Sequence, residues 1–378
     1  MITRTNLCCG WTKSLVLAGL AILFSATACS AQISSPLIDQ DATMVHIDDS
    51  EVSQAGFLGK HKASGCDGCG EKFPKCCCGA WWSHQTGGFG QFLLLRPGNV
   101  DQIFAIEQNT IVPGDFPTGP VGRVNIDEEA AFRVGFTWAA SDCTSLVTTF
   151  TRFEGNTSST INATPTNVLN SQIIHPSTLT VGAGSLQSTA SYSLDFQLID
   201  LAYRHVYKTS DCYAVNWLAG FRYANMEQDF QAQQNVSVAT GLVNVDTDVD
   251  FNGFGMLFGV DAERRSSHSG LSIYGKGISS FLAGDWRGTY RQTNQFGGGV
   301  VANEYEDYRV TPVVELELGF AWRNKCGNLR ANIGYMTSAW YNAISNREYV
   351  DAVRNNNYVS IDETITFNGL TSGLEYHF

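Results

Sequence analysis

The last nine residues alternate without a break: Leu370, Leu374, Tyr376 and Phe378 share one face, and Thr371, Gly373, Glu375 and His377 share the other. Chain ends of soluble domains normally fray. A strand that keeps its pattern to its final side chain therefore expects a neighbouring strand for its backbone. Longer stretches repeat the pattern. After Cys212, Tyr213, Val215, Trp217, Ala219, Phe221 and Tyr223 oppose Ala214, Asn216, Leu218, Gly220 and Arg222. Before Cys326, Val310, Pro312, Val314, Leu316, Leu318, Phe320 and Trp322 oppose Arg309, Thr311, Val313, Glu315, Glu317, Gly319, Ala321 and Arg323. Before Cys143, Phe132, Val134, Phe136 and Trp138 oppose Ala131, Arg133, Gly135 and Thr137. Several of these runs exceed the roughly 9–11 residues that carry a tilted strand across hydrocarbon.

Alternation alone fits two solutions. In a soluble sandwich the apolar face turns inward; in a membrane barrel it meets lipid and the polar face lines the lumen. Composition favours the second. Only 16% of the 378 residues are charged, against about a quarter in ordinary soluble proteins. The net charge of −12, with no cluster of Lys and Arg, argues against a nucleic-acid partner. Arg4, Lys13, the apolar run 15–24 and the small residues through Ala31 read as a secretory signal over 1–31, cleaved after Ala31 or Ala28. No later apolar stretch is long enough for a membrane helix. An exported chain of this kind can enter a membrane only as a closed barrel.

Residues 32–85 read as a Cys-rich, partly disordered periplasmic extension, and 86–378 as the barrel. Short polar turns at 141–143, 209–212, 266–269 and 324–327 alternate with long polar loops near 98–127, 155–190, 231–249, 291–304 and 342–360. That asymmetry is the signature of an outer-membrane barrel, and the segments between number about ten. The expected fold is all-β: an antiparallel up-and-down transmembrane β-barrel with both chain ends on the short-turn side. Trp138, Tyr207, Tyr213, Trp322, Tyr341 and Tyr376 suit an interfacial girdle. The apolar face changes phase around 198–201, which suggests a bulge. Pro312 is an objection, since proline removes a ladder donor.

Three cysteines lie in the signal region. Of the rest, Cys66, Cys69, Cys76, Cys77 and Cys78 cluster in the extension, while Cys143, Cys212 and Cys326 each fall in a short turn. Export favours disulfides among these eight. Zinc ligation by Cys66 and Cys69 with a second pair is the alternative. Asp246, Asp248 and Asp250 have alternate-carboxylate spacing but lack the glycine and distal glutamate of a calcium loop; like Glu304, Glu306 and Asp307 they read as solvated loop. No nucleophile elbow, P-loop or dinucleotide fingerprint appears, and the seven His residues show no metal spacing. The expectation is no enzyme, no cofactor and no metal. The inward charges would be Arg133, Asp195, Arg222, Asp261, Lys276, Arg309, Glu315, Glu317, Arg323, Arg330 and Glu375. They would either line a polar conduit or fill the lumen with mutually satisfied ion pairs.

The strings GGFGQFLLLRPGN and GLEYHF, with the repeated strand–Cys turn–strand units between them, resemble the Legionella-type pore-forming major outer-membrane protein family in its Cys-rich, planctomycete-like form. The resemblance spans roughly 86–378. It implies an outer-membrane barrel with a pore role and no catalytic residues. The expected function is therefore a pore for small ions or solutes, with acidic loops predicting weak cation preference. The alternatives are a structural surface barrel with a filled lumen and a secreted soluble β-sandwich adhesin or binding module. The expected partners are outer-membrane lipid and, through the strand ending at Phe378, the barrel-assembly machinery.

Overall fold

The computed structural model describes residues 80–109, 116–178, 184–236, 241–266, 269–295 and 300–378. The expected signal peptide and the Cys66 to Cys78 cluster lie outside the described residues. The described chain forms thirteen strands and one α-helix. The strands are β1 (Gly87–Gly98), β2 (Gln102–Gln108), β3 (Pro117–Val124), β4 (Glu129–Ser141), β5 (Thr144–Asn162), β6 (Val168–Ser171) and β7 (Ser185–Thr209). They continue as β8 (Tyr213–Val236), β9 (Gly241–Arg265), β10 (Leu271–Asn294), β11 (Val300–Arg323), β12 (Leu329–Ala343) and β13 (Glu363–His377), with α1 (Asn346–Asn355) before the last.

Ten of the strands close a ring in the order β1, β4, β5, β7, β8, β9, β10, β11, β12, β13, all antiparallel. The closing seam runs from Gly87↔His377 to Gly98↔Thr366, so the final alternating strand has its expected partner. Strands β2, β3 and β6 make a small side sheet that joins the ring at Leu169↔Ser185.

The face assignment is the membrane one. Trp217, Phe221, Leu316 and Phe320 point outward, the last 62% exposed, whereas Glu315 and Glu317 point inward and are 7% and 6% exposed. Pro312 lies one residue beyond the β11–β12 ladder, which begins at Val313↔Trp340, so no pairing on that side is lost.

The strands run further than the sequence suggested. Residues 155–162, 185–190, 231–236, 241–249, 291–294 and 300–304, expected as loop, are strand. A strand of 25 residues such as β9 is roughly 80 Å long at about 3.3 Å per residue. Even tilted about 45°, it rises at least twice the ~25 Å apolar band. Much of β7 to β11 therefore stands in water as a collar, and there the binary pattern inverts. In β9, Phe254, Met256, Phe258 and Val260 face out, but further along it is Asn244, Asp246, Asp248, Asp250 and Asn252 that face out, over buried Val245, Val249 and Phe251.

This inversion replaces the bulge expected at 198–201. The register of β7 with β5 and β8 is continuous there. Leu194, Phe196 and Leu198 are buried inside the collar, and Ile199, Leu201 and Tyr203 are exposed on the belt. The switch follows the hydrogen-bonded register across six strands. Phe150, Ile199, Tyr223, Phe254, Ala283 and Val310 form the last apolar outward row. The next row is Arg152, Gln197, Asn225, Asn252, Asp285 and Tyr308. The backbone does not change; the solvent outside it does.

Candidate functional site

The interior is layered. In the collar, α1 and the returning loops sit inside the ring. Ser345 caps α1, its Oγ accepting from Glu348 N at 3.3 Å and donating to Glu363 at 2.5 Å, as the S-x-x-E pattern favours. Tyr349, Val350, Ala352 and Val353 are buried in one core with Phe153, Phe196, Phe251, Trp286, Trp340 and Phe367. The Tyr349 ring lies over Gly288, where an added Cβ would come within 2.8 Å of it, and its hydroxyl donates to Gly288 O at 2.9 Å. Only glycine leaves room for that seat. Gln228 fastens the helix entry: its Nε2 donates to Ile344 O at 2.8 Å, and its Oε1 accepts from Asn346 N at 3.1 Å and from the Tyr192 hydroxyl at 3.0 Å. Gln234, Tyr290 and Gln292 hold the β6 region in the same way, through Ser171, Ile173 and His175. Arg309, paired with Asp307, donates to Ile361 O at 2.6 Å.

Below this core lies an ionic layer. Arg222, 1% exposed, is shared between Asp200 at 2.7 Å and Glu315 at 2.9 Å. Glu317 accepts from Arg133 at 3.4 Å, the Tyr274 hydroxyl at 2.7 Å and Thr371 at 3.2 Å. Arg133 also donates to Thr151 and Gln91. Arg133, Arg222, Asp200, Glu315 and Glu317 are thus each paired and hydrogen-bonded, as burial demands.

At the short-turn end the lumen widens into a cavity of 170 Å³, closed on one side by the segment from Trp81 to Gln85. Arg204 clasps Asp261 through two donors at 2.6 and 2.8 Å, and Arg330 bridges Glu263 at 3.2 Å and Glu375 at 2.5 Å. His84, which precedes β1, contacts Asn216 at 3.3 Å; burial together with the Arg204 charge pushes its imidazole down to about 4.

Ten of the eleven expected inward charges therefore face the interior, spread over these three levels. Asp195 does not. It lies on the outer face of the collar, across from Glu154 and Glu227, because the inward parity in β7 belongs to Leu194 and Phe196. Asp246, Asp248 and Asp250 are on strand β9, not in a loop, and Glu304 and Glu306 are on β11. The sequence reading missed Asp200, Arg204, Glu263 and Tyr274. Glu263 and Tyr274 share the parity of Asp261 and Lys276, whereas Asp200 and Arg204 have the parity opposite to Asp195 and were hidden by the supposed bulge. No disulfide joins Cys143, Cys212 and Cys326 to one another. The turns they occupy are at least two strands apart around the rim, about 10 Å at ordinary strand spacing, beyond the ~7 Å Cα limit of the bond.

A closed antiparallel ring with lipid-facing aromatics and an ion-paired interior defines an outer-membrane β-barrel. The family model for the Legionella pneumophila major outer membrane protein precursor matches residues 88–378. The chain belongs to that family and resides in the outer membrane. A comparison with curated protein sequences finds no match. Among solved structures it is similar to the outer membrane protease OmpT from Escherichia coli, with 10% identity, 78% of this chain and 97% of that chain covered, and a TM-score of 0.42. It is also similar to a TodX monoaromatic hydrocarbon channel mutant (6% identity, 79% and 92% covered, TM-score 0.28) and to a Pseudomonas aeruginosa FadL homologue (8%, 78% and 90%, TM-score 0.23).

Proposed function

We propose that this protein is a structural outer-membrane barrel with a filled lumen. The observation that carries this reading is the seating of α1 inside the collar, with Tyr349 against Gly288 and an aromatic core across the bore. Ten strands stand close to the eight at which side chains alone fill a barrel, and far from the 16–18 of open porins. The role proposed is non-enzymatic, and the barrel-assembly machinery is the partner proposed for the closing strand β13, whose outward row Leu370, Leu374 and Tyr376 is exposed.

A second reading, a pore for small ions or solutes, is favoured by one feature. The carboxylate Oε2 of Glu348 on α1 is buried without a hydrogen-bond partner among the described residues. A helix carrying that penalty is a candidate for displacement. The test is planar-bilayer recording of the refolded full chain beside a Gly288→Trp variant. Filled-lumen behaviour is a silent wild type and a variant that conducts once α1 is dislodged. Steady wild-type conductance overturns the first reading in favour of the second.

A further inference from the structure

We propose that the cavity at the short-turn end is a binding site for a small oxyanion, of the phosphate or carboxylate class. This goes beyond the function proposed above and holds whether or not the barrel conducts. Lys276 points into the cavity from β10. Its cross-strand neighbours are Asp261 on one side and Glu317 on the other, the natural partners for an ammonium. Neither serves it. Asp261 is engaged by Arg204 and by Asn216 at 2.7 Å, and Glu317 by Arg133, Tyr274 and Thr371. Among the described residues Lys276 forms no ion pair. Arg323 is in the same position: its guanidinium donates to Trp81 O at 2.6 Å and has no carboxylate partner among the described residues.

Unsatisfied atoms around the same cavity point the same way. The Trp81 indole Nε1, Arg323 Nε and Arg330 Nε are buried donors with no acceptor. Asn332 Oδ1 and His84 Nδ1 are the acceptors left over there among the described residues, since the His84 Nε2 proton goes to Asn216 Oδ1, and His377 Nδ1 can serve either role. Three orphan donors and two unpaired cations outnumber these acceptors and favour a ligand that chiefly accepts. The lining holds Arg204, Lys276, Arg323 and Arg330 against Asp261, Glu263, Glu317 and Glu375, balanced in number, but these carboxylates pair with Arg204, Arg330 and Arg133 and leave Lys276 and Arg323 without one. One bound oxyanion would accept from both of these cations and from the orphan donors. A layer of water, the ordinary content of a polar cavity, would satisfy the donors but would give Lys276 and Arg323 no ion-pair partner.

The experiment is calorimetric titration of the refolded full chain in detergent with inorganic phosphate and, separately, acetate, at fixed ionic strength. The expected result is saturable one-site binding of at least one anion. Lys276→Met and Arg323→Gln should each weaken it about tenfold or more, as loss of a charge-assisted hydrogen bond does, and Lys208→Gln on the exposed rim should leave it unchanged. Heat-modifiable gel migration verifies that each variant is folded. No saturable binding of either anion up to about 50 mM, or binding that Lys276→Met leaves intact, overturns the proposal. The relative response to phosphate and acetate identifies which oxyanion the site takes.

Discussion

The membrane belt and the collar above it are built from the same strands with opposite chemistry. In the belt, Phe254, Met256, Phe258 and Val260 face out while Asp261 and Arg222 face in. In the collar, Asp246, Asp248 and Asp250 face out while Val245, Val249 and Phe251 face in. Lipid admits apolar side chains and excludes charge, so the belt must hide its charges in the lumen and neutralise them in pairs. Water outside the collar reverses the demand, and the collar forms an ordinary apolar core around α1. A single strand can thus read as a membrane strand at one end and a soluble one at the other, with no irregularity between.

The largest effect that would test this contrast is in the belt interior. Replacing Arg222 with Met strands Asp200 and Glu315, and it should cost about 3–5 kcal/mol in urea unfolding of the folded barrel. A near-neutral result would mean that the layer is solvated rather than buried. Next comes the outer face. Phe258→Arg should destabilise by about 2–4 kcal/mol in a lipid bilayer, whereas Asp248→Arg, ten residues along the same strand, should stay within about 0.5 kcal/mol. Equal costs at the two positions would erase the boundary between Asn252 and Phe254. A smaller change is expected at the helix seat. Gly288→Ala puts a methyl against the Tyr349 ring and should cost about 1–3 kcal/mol, read as faster amide exchange confined to α1.

The smallest effect is a pH dependence of helix docking. Burial, with Glu363 and Asp362 nearby, pushes the Glu348 carboxyl up to about 7 from an ordinary 4.5. The docked state therefore holds this proton over a window in which the undocked helix releases it. Docking is favoured below that window and weakens as pH rises through about 7. Amide exchange of α1 should be slower at pH 5 than at pH 8 after correction for intrinsic rates, and Glu348→Gln should flatten the difference.

Much of this was legible in the residues. Runs such as 310–322 and 213–223 showed strand length and parity, and the cysteine-bearing turns marked one rim. Parity also found most of the inward charges. It failed at Asp195 and Asp200 for one reason: near Leu198 the apolar residues change sides, and periodicity alone cannot separate a slipped backbone from a changed solvent. The helix over 346–355 has the appearance of loop in the sequence because its apolar residues, Tyr349, Val350, Ala352 and Val353, are few and sit in a polar stretch.

What the amino-acid order determined by itself was the repeat of two, the inverted polarity of the belt, and a closing strand that needs a partner. Those depend on neighbours in sequence and on the medium outside. Only the tertiary structure decided that Arg222 lies between Asp200 and Glu315, that α1 sits inside the collar, and that Lys276 is left without a carboxylate. These outcomes depend on which side chains meet across the lumen, and closure of the ring sets that through strand register and stagger, quantities to which a pattern of alternating residues is blind.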